Sequence, residues 1–481
     1  MSQQPSNQRA FPILVSIFFF WGFVAASNDI LIPVFKKALN LEQWQSQMIS
    51  FAFYVAYTVG SIIYSLISKN LGTDILNKIG YKNGIAIGLI ISAIGSFLFF
   101  PAAQYASFNI MLTGLFIVGL GFSLQQTAAN PLAIVMGNPA TGSQRLSFAG
   151  GINNVGTTIG PLLVSIAIFG RLNPGEAGVA DIQSVQIPYL ILGAAFLLVA
   201  VIIKTSAIPN KIELQHDEPS SLENVIERKS ALSYPQLILG MVAIFLYVGV
   251  EVSTAGNLSE FMIKKLSFDE SHCAPFVSLF WASLMIGRLT SSVGAFVNSE
   301  SLKRVLGIAV PYLAFGFFLF VNWLANHDIE PFLPYAGVIL ILVVLDYLSH
   351  GNPAKQLLLF SFAGISALFV GMLSSGMVSV YAFISVGLFC STLWPCIFTL
   401  AISGLGKHTT EGSNFLIMMI MGGGFVSLFQ GVVADESMLG IQWSYLVGVA
   451  CFAYLAFYAW RVSGILKKQG VSFEVMKGGG H

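Results

Sequence analysis

Asp29 and Glu251 are carboxylates set inside long apolar stretches, and Gln125, Gln126, Asn130, Asn153 and Asn154 are carboxamides in the middle of two adjacent ones between Phe108 and Phe169. A charged side chain at the centre of a hydrocarbon layer costs ~2.5 kcal/mol or more, so such a carboxylate is kept for what it binds: a cation, a proton or a polar cargo. A cap near the helix end, ahead of Pro33, is the alternative for Asp29. A carboxamide supplies donors and an acceptor together, so a cluster of them replaces the water around hydroxyl groups without burying a net charge. One amide in a span is ordinarily interhelical glue, worth ~0.6 kcal/mol on average; five on neighbouring runs point to a polar cavity for a neutral, hydroxyl-rich ligand. Tyr54, Tyr57, Tyr247 and Trp394 are aromatics able to stack on the apolar face of a sugar ring, with packing as the alternative reading of each.

The elements that must position these groups follow from composition. Of 481 residues, 55% are hydrophobic and 9% charged, with a mean hydropathy of +0.78, whereas soluble domains carry about 25% charge. Crossing ~30 Å of hydrocarbon takes ~20 helical residues. Fourteen apolar runs of that order fall near 11–35, 46–68, 83–104, 108–136, 146–169, 186–204, 235–258, 274–296, 303–325, 331–348, 355–376, 377–403, 413–434 and 441–462. No charge separates 355–376 from 377–403, so that boundary is the weakest. The runs are continuous rather than alternating, which excludes a β-barrel; the fold class is an all-α polytopic membrane protein. Met1–Ala10 is polar and no small-residue cleavage site follows, so the first run is read as a span and not a removable signal. Of the 23 Lys and Arg, only Lys36, Lys37, Arg171, Lys264 and Lys265 fall on the face opposite the termini. Both termini are therefore expected in the cytoplasm.

Several activities are excluded. No GxxxxGK[ST] loop and no sizeable soluble domain is present to hydrolyse nucleotide, and no HExxH or comparable cluster suits a membrane enzyme. The four cysteines lack a metal-type spacing and read as small core residues. A net charge of +1 gives no reason to expect a nucleic-acid partner.

The acid- and base-rich segment 205–233 divides the chain into 1–204 and 234–470 as a solvated cytoplasmic linker. The halves echo one another. Asn130–Pro131, Gly142–Ser143 and Gly150–Gly160 correspond to Trp394–Pro395, Gly412–Ser413 and Gly422–Gly424, and a weaker correspondence joins the first and seventh runs. Duplication of this kind predicts two pseudo-symmetric six-helix bundles, which leaves 303–348 as an added transmembrane hairpin. The glycines of the fifth and eleventh crossings of that twelve-helix plan are expected to permit close helix contact.

Phe20–Trp21–Gly22, Asn28–Asp29–Ile30–Leu31–Ile32–Pro33, Gln126–Thr127–Ala128–Ala129–Asn130–Pro131, Arg145–Leu146, and Trp394–Pro395 through Gly404–Leu405–Gly406 together resemble the fucose:proton symporter family of the major facilitator superfamily. Within it the chain looks most like the bacterial glucose/galactose transporters. The resemblance implies two six-helix bundles around a central site that opens alternately to each side of a bacterial inner membrane, with Asp29 as the functional first-helix carboxylate. Where the fucose symporter has a second essential carboxylate, this chain has Gln126, which binds hydroxyls but does not titrate. Coupling then rests on Asp29, helped by Glu251, with H+ or Na+ as the ion. The superfamily's acidic-basic signature between the second and third spans is replaced by Asn77–Lys78–Ile79–Gly80–Tyr81–Lys82, so the gate is expected to lock less through charge.

The expected function is cation-coupled import of a neutral hexose by a monomer in the lipid bilayer, without a cofactor, a metal site or catalytic residues. Fucose or another sugar as cargo, passive sugar facilitation and a non-transporting membrane sugar sensor are the rival readings. Asp29 and Glu251 are the coupling candidates; Asn28, Gln125, Gln126, Asn130, Asn153, Asn154, Tyr54, Tyr247 and Trp394 are the cargo candidates.

Overall fold

A computed structural model describes residues 10–24, 39, 43–169, 182–211, 228–268 and 270–471. The helices run α1 Ala10–Val24, α2 Gln43–Asn70, α3 Tyr81–Gln104, α4 Phe108–Val135, α5 Gly142–Phe169 and α6 Gln186–Thr205. After the linker come α7 Pro235–Leu266, α8 Glu270–Ser292, α9 Glu300–Leu324, α10 Tyr335–Ser349, α11 Pro353–Leu373, and α12 Gly376–Ile402, α13 Gly406–Val433 and α14 Gly440–Lys468. Every apolar run of the sequence lies on one of these, the first as far as Val24. Among the described residues twelve helices are long and apolar enough to cross a membrane. The remaining two are α1, a shorter apolar helix, and α5, whose 28 residues include Arg145 and both Asn153 and Asn154.

Local chemistry sets the helix ends. Ser107, Ser299 and Asn352 place side-chain oxygens on the first free N–H groups of α4, α9 and α11, which otherwise have no partner within the helix. The boundary that no charge marked falls at Ser374–Ser375–Gly376, where Gly376 takes φ +65°. The run 377–403 is not one continuous helix. It breaks at Ser391–Thr392 between Gly376–Cys390 and Leu393–Ile402.

In the first half α4 packs on α2 and α3, and α3 on α6; in the second, α7 packs on α13 and α14, and α11 on α14. The halves meet where α5 packs on α8 and α2 on α13. With the hairpin set aside, each of these pairs joins the second crossing of one half to the fifth of the other, the relation a duplicated bundle generates. The hairpin α9–α10 packs on α8, α11 and α12, and α9 also touches α5 of the first half. Tyr335 Oη lies 2.8 Å from Ser283 Oγ, and Gln356 Nε2 donates to Asp346 Oδ1 at 2.8 Å and to Ser291 Oγ at 2.9 Å. Leu313, Trp323 and Leu340 point outward from it.

Candidate functional site

Two prolines organise the interior. A proline has no N–H to give the carbonyl four residues earlier, so Pro131 frees the Thr127 oxygen and Pro395 frees the Ser391 oxygen. Both find donors. Ser413 Oγ, from the other half, donates to Thr127 O at 3.0 Å, and Arg288 Nε donates to Ser391 O at 3.0 Å.

Arg288 does more than cover a helix break. Its Nη1 donates to Asn154 Oδ1 at 2.8 Å, which joins α8 to α5 across the boundary between the halves. Its Nη2 donates to Tyr247 Oη at 3.1 Å and stands 3.9 Å from Glu251 Oε2. Tyr247 Oη in turn donates to Glu251 Oε2. The guanidinium and carboxylate side chains are only 11% and 14% exposed, so solvent screens them little. Trp394, next to Pro395, has its ring 6.2 Å from that of Tyr247. Gly151 leaves room for this crossing, since a Cβ there would come within 2.6 Å of Leu289 Cδ2.

On the other side of the boundary, Gln126 Nε2 donates to Tyr57 Oη at 3.0 Å and the Gln126 side chain is half-buried. Asn153 Nδ2 donates to the Phe18 carbonyl at 2.9 Å, where Gly22 lets α1 and α5 touch: a Cβ at Gly22 would lie 1.9 Å from Asn153 O. Tyr54 is half-buried, its ring edge-on to Phe53. Depth can be counted from the helix ends on the face where α6 ends and α7 begins, called here the linker face. At about 1.5 Å per residue, Gln126 lies about 14 Å deep, Asn154 and Tyr247 about 18 Å, and Glu251 about 24 Å.

The expected cargo residues divide accordingly. Asn154 and Tyr247 are buried, 3% and 1% exposed, within the Arg288 network, whereas Gln126, Asn153, Tyr54 and Trp394 keep partial exposure. Gln125 does not: it is fully buried, accepting from Trp21 Nε1 at 2.9 Å and donating to Ser92 Oγ at 3.0 Å. Its amide is spent as the interhelical glue considered for single amides, because it points into the α1–α3–α4 core. Asn130 is also enclosed, 1% exposed and about 8 Å deep, with no partner for Nδ2 among the described residues. Asn28 and Asp29 lie outside the described residues. Arg145 of the Arg145–Leu146 motif closes the end of α4 by donating to the carbonyls of Ala133, Ile134 and Asn138. Arg288 is not among the residues that the sequence singles out; the carbonyl freed by Pro395 is the signal that a donor is needed nearby.

At the linker face the halves are closed on one another by neutral groups. Tyr81 Oη meets Thr410 Oγ1, and Asn414 Nδ2 donates to Ser61 O at 3.1 Å and Ser65 Oγ at 2.9 Å. The Phe148 and Phe296 rings are 4.9 Å apart, and Phe11 packs on both. This accords with the loss of the charged signature around Asn77–Lys82. Among the described residues no group of His, Cys, Asp and Glu is placed to hold a metal ion, and all four cysteines are buried thiols outside any disulfide.

Residues 13–344 match the Major Facilitator Superfamily. The chain belongs to that superfamily. It is 32% identical over 459 residues to a glucose/galactose transporter of Brucella abortus, covering 95% of each chain. It is 26% identical to the L-fucose-proton symporter of Escherichia coli, covering 93% of this chain and 92% of that one. A crystal structure of the major facilitator transporter FucP in the outward conformation superposes with a TM-score of 0.71 at 26% identity, over 95% of this chain and 99% of FucP. These relatives are named as transporters, as the absence of catalytic motifs in this member of the superfamily led one to expect. The family placement, the fold and the resemblance drawn from the motifs agree.

Proposed function

We propose that this chain imports a neutral hexose across a bacterial cytoplasmic membrane in symport with protons, its linker face turned to the cytoplasm. The observation that carries the reading is the Glu251–Arg288–Asn154 connection, an ion pair at mid-depth whose cation also holds the opposite half. Protonation of Glu251 cancels one charge of the pair and leaves Arg288 bonded mainly to Asn154, Tyr247 and Ser391. Proton occupancy thereby changes the contact between the halves, which is what coupling requires. Asp29, in the same apolar run of the sequence as Phe18, whose backbone holds Asn153, supplies the second protonatable group. Gln126, Asn153, Asn154 and the Tyr247–Trp394 pair contact the sugar hydroxyls and ring. The relatives named for glucose/galactose and for fucose with protons support a sugar as cargo and the proton, rather than Na+, as the ion.

Uptake of labelled glucose, galactose and fucose into proteoliposomes, with an imposed pH gradient and then a Na+ gradient, tests this. Hexose accumulation above equilibrium is expected under the pH gradient only. Asp29→Asn is expected to abolish accumulation and retain sugar exchange; undiminished concentrative uptake by that variant removes the coupling role.

A further inference from the structure

The end of the linker is strapped to the gate by a histidine. His408 stands at the start of α13 with its two ring nitrogens each facing an oxygen: Nδ1 is 3.1 Å from Glu411 Oε2, and Nε2 is 3.1 Å from the Arg228 carbonyl. A neutral imidazole has one N–H, so it satisfies one of these acceptors and turns a lone pair towards the other; the imidazolium donates to both. The strap has a second attachment, the Ala231 N–H donating to the same Glu411 oxygen at 3.4 Å. Ala231 is fully buried and Tyr234 is 4% exposed, its ring 6.2 Å from that of His408. Glu411 is 40% exposed and His408 14%, so protons reach the site from the aqueous phase.

The helix turn that receives the strap is the one that closes the halves. Thr410, Ser413 and Asn414 follow within two turns and bond to Tyr81, Thr127, Ser61 and Ser65 of the first half. The other charged and titratable groups around His408 are Arg228, whose guanidinium lies 5.4 Å over the Tyr234 ring, and Lys407 beside it in sequence. From the first half comes Asp74, whose carboxyl is held above its usual range by burial, with the Glu411 charge adding to the effect.

We propose that His408, Glu411 and residues 228–234 form a proton-operated strap that stabilises the closed linker-face gate when the solution on that face is acidic. The sign follows from the donor count: acid completes both hydrogen bonds and favours closure, and alkali removes one and favours opening. Histidine is the side chain that changes charge between about pH 5 and 8. The inference rests on the transport reading for its physiological meaning: a cell already acidified by symport slows the step that delivers more protons.

Spin-label pairs bridging the halves at the linker face, read in proteoliposomes at pH 5.5 and 8, test the strap without any sugar moving. The wild-type closed-to-open ratio is expected to be about threefold to tenfold higher at pH 5.5, the scale of one partly exposed charge-assisted hydrogen bond. His408→Gln and Glu411→Gln are each expected to shrink that change to the part supplied by Glu251 protonation, and His408→Gln to match wild-type uptake at pH 8. A pH response of unchanged size in both variants overturns the strap. Absence of hexose uptake with the pH response intact overturns the transport reading instead.

Discussion

A guanidinium has five N–H donors in a fixed fork, and at Arg288 they reach a helix-break carbonyl, an amide of the other half, a tyrosine and, at ion-pair range, a carboxylate. Removing one member of a buried pair leaves the other charge unpaired, at a typical cost of about 3–5 kcal/mol. Glu251→Gln is therefore expected to lower thermal stability in detergent and to cut the accumulation ratio more than tenfold. Adding Arg288→Gln to it is expected to restore stability and not accumulation, since no unpaired charge then remains. Full recovery of both would reduce the pair to scaffolding. At this scale the sequence was partly legible. Ionisable groups in apolar runs mark Glu251 with no structure in hand, because their cost is intrinsic. Which amides are spent in the core is not intrinsic: Gln125 and Gln126 are adjacent, and only the rotation of α4 sends one to Trp21 and Ser92 and the other to Tyr57.

The helices show how a motif acts through what it removes. Pro131 and Pro395 each cancel a backbone hydrogen bond, and the freed oxygens at Thr127 and Ser391 become fixed acceptors for Ser413 and Arg288. The spacing of four residues is readable from sequence, as the broken ladder follows from proline chemistry alone; the donors are not, since they arrive from distant chain positions. Pro131→Ala returns an N–H to compete for the Thr127 oxygen. One neutral hydrogen bond is worth about 1 kcal/mol, so the gate is expected to shift about fivefold towards opening at the linker face. Alkylation rates of a cysteine introduced on that face measure this, and an unchanged rate would mean that the carbonyl plays no part in closure. The boundary after the run 355–376 was the least legible, because no charge marks it; a glycine at φ +65°, Gly376, makes the turn there. The interruption at Ser391–Thr392 was hidden inside a run of uniform hydropathy.

Across the whole molecule, the two halves are closed on one another at the linker face. Phe148 and Phe296 sit on opposite halves with ring centroids 4.9 Å apart. Phe148→Cys combined with Phe296→Cys, joined by a short bifunctional thiol reagent, is expected to stop hexose uptake and to recover it when a cleavable reagent is reduced. Continued uptake in the joined state would show that the halves need not part there. The twofold plan was legible because duplicated motifs survive in both halves, and the hairpin because it adds two runs that the first half lacks.

That hairpin is fastened through Asp346, Gln356, Ser283 and Tyr335 to one half alone as far as its described hydrogen bonds go, and it turns Leu313, Trp323 and Leu340 to the acyl chains. A bilayer is a viscous sheet, and a body presenting two additional helices to it meets more drag. With no outside torque, the rotations of two hinged bodies divide in inverse proportion to their resistance. The leaner partner, α1–α6, is therefore expected to do most of the swinging, with the half that carries the hairpin as ballast.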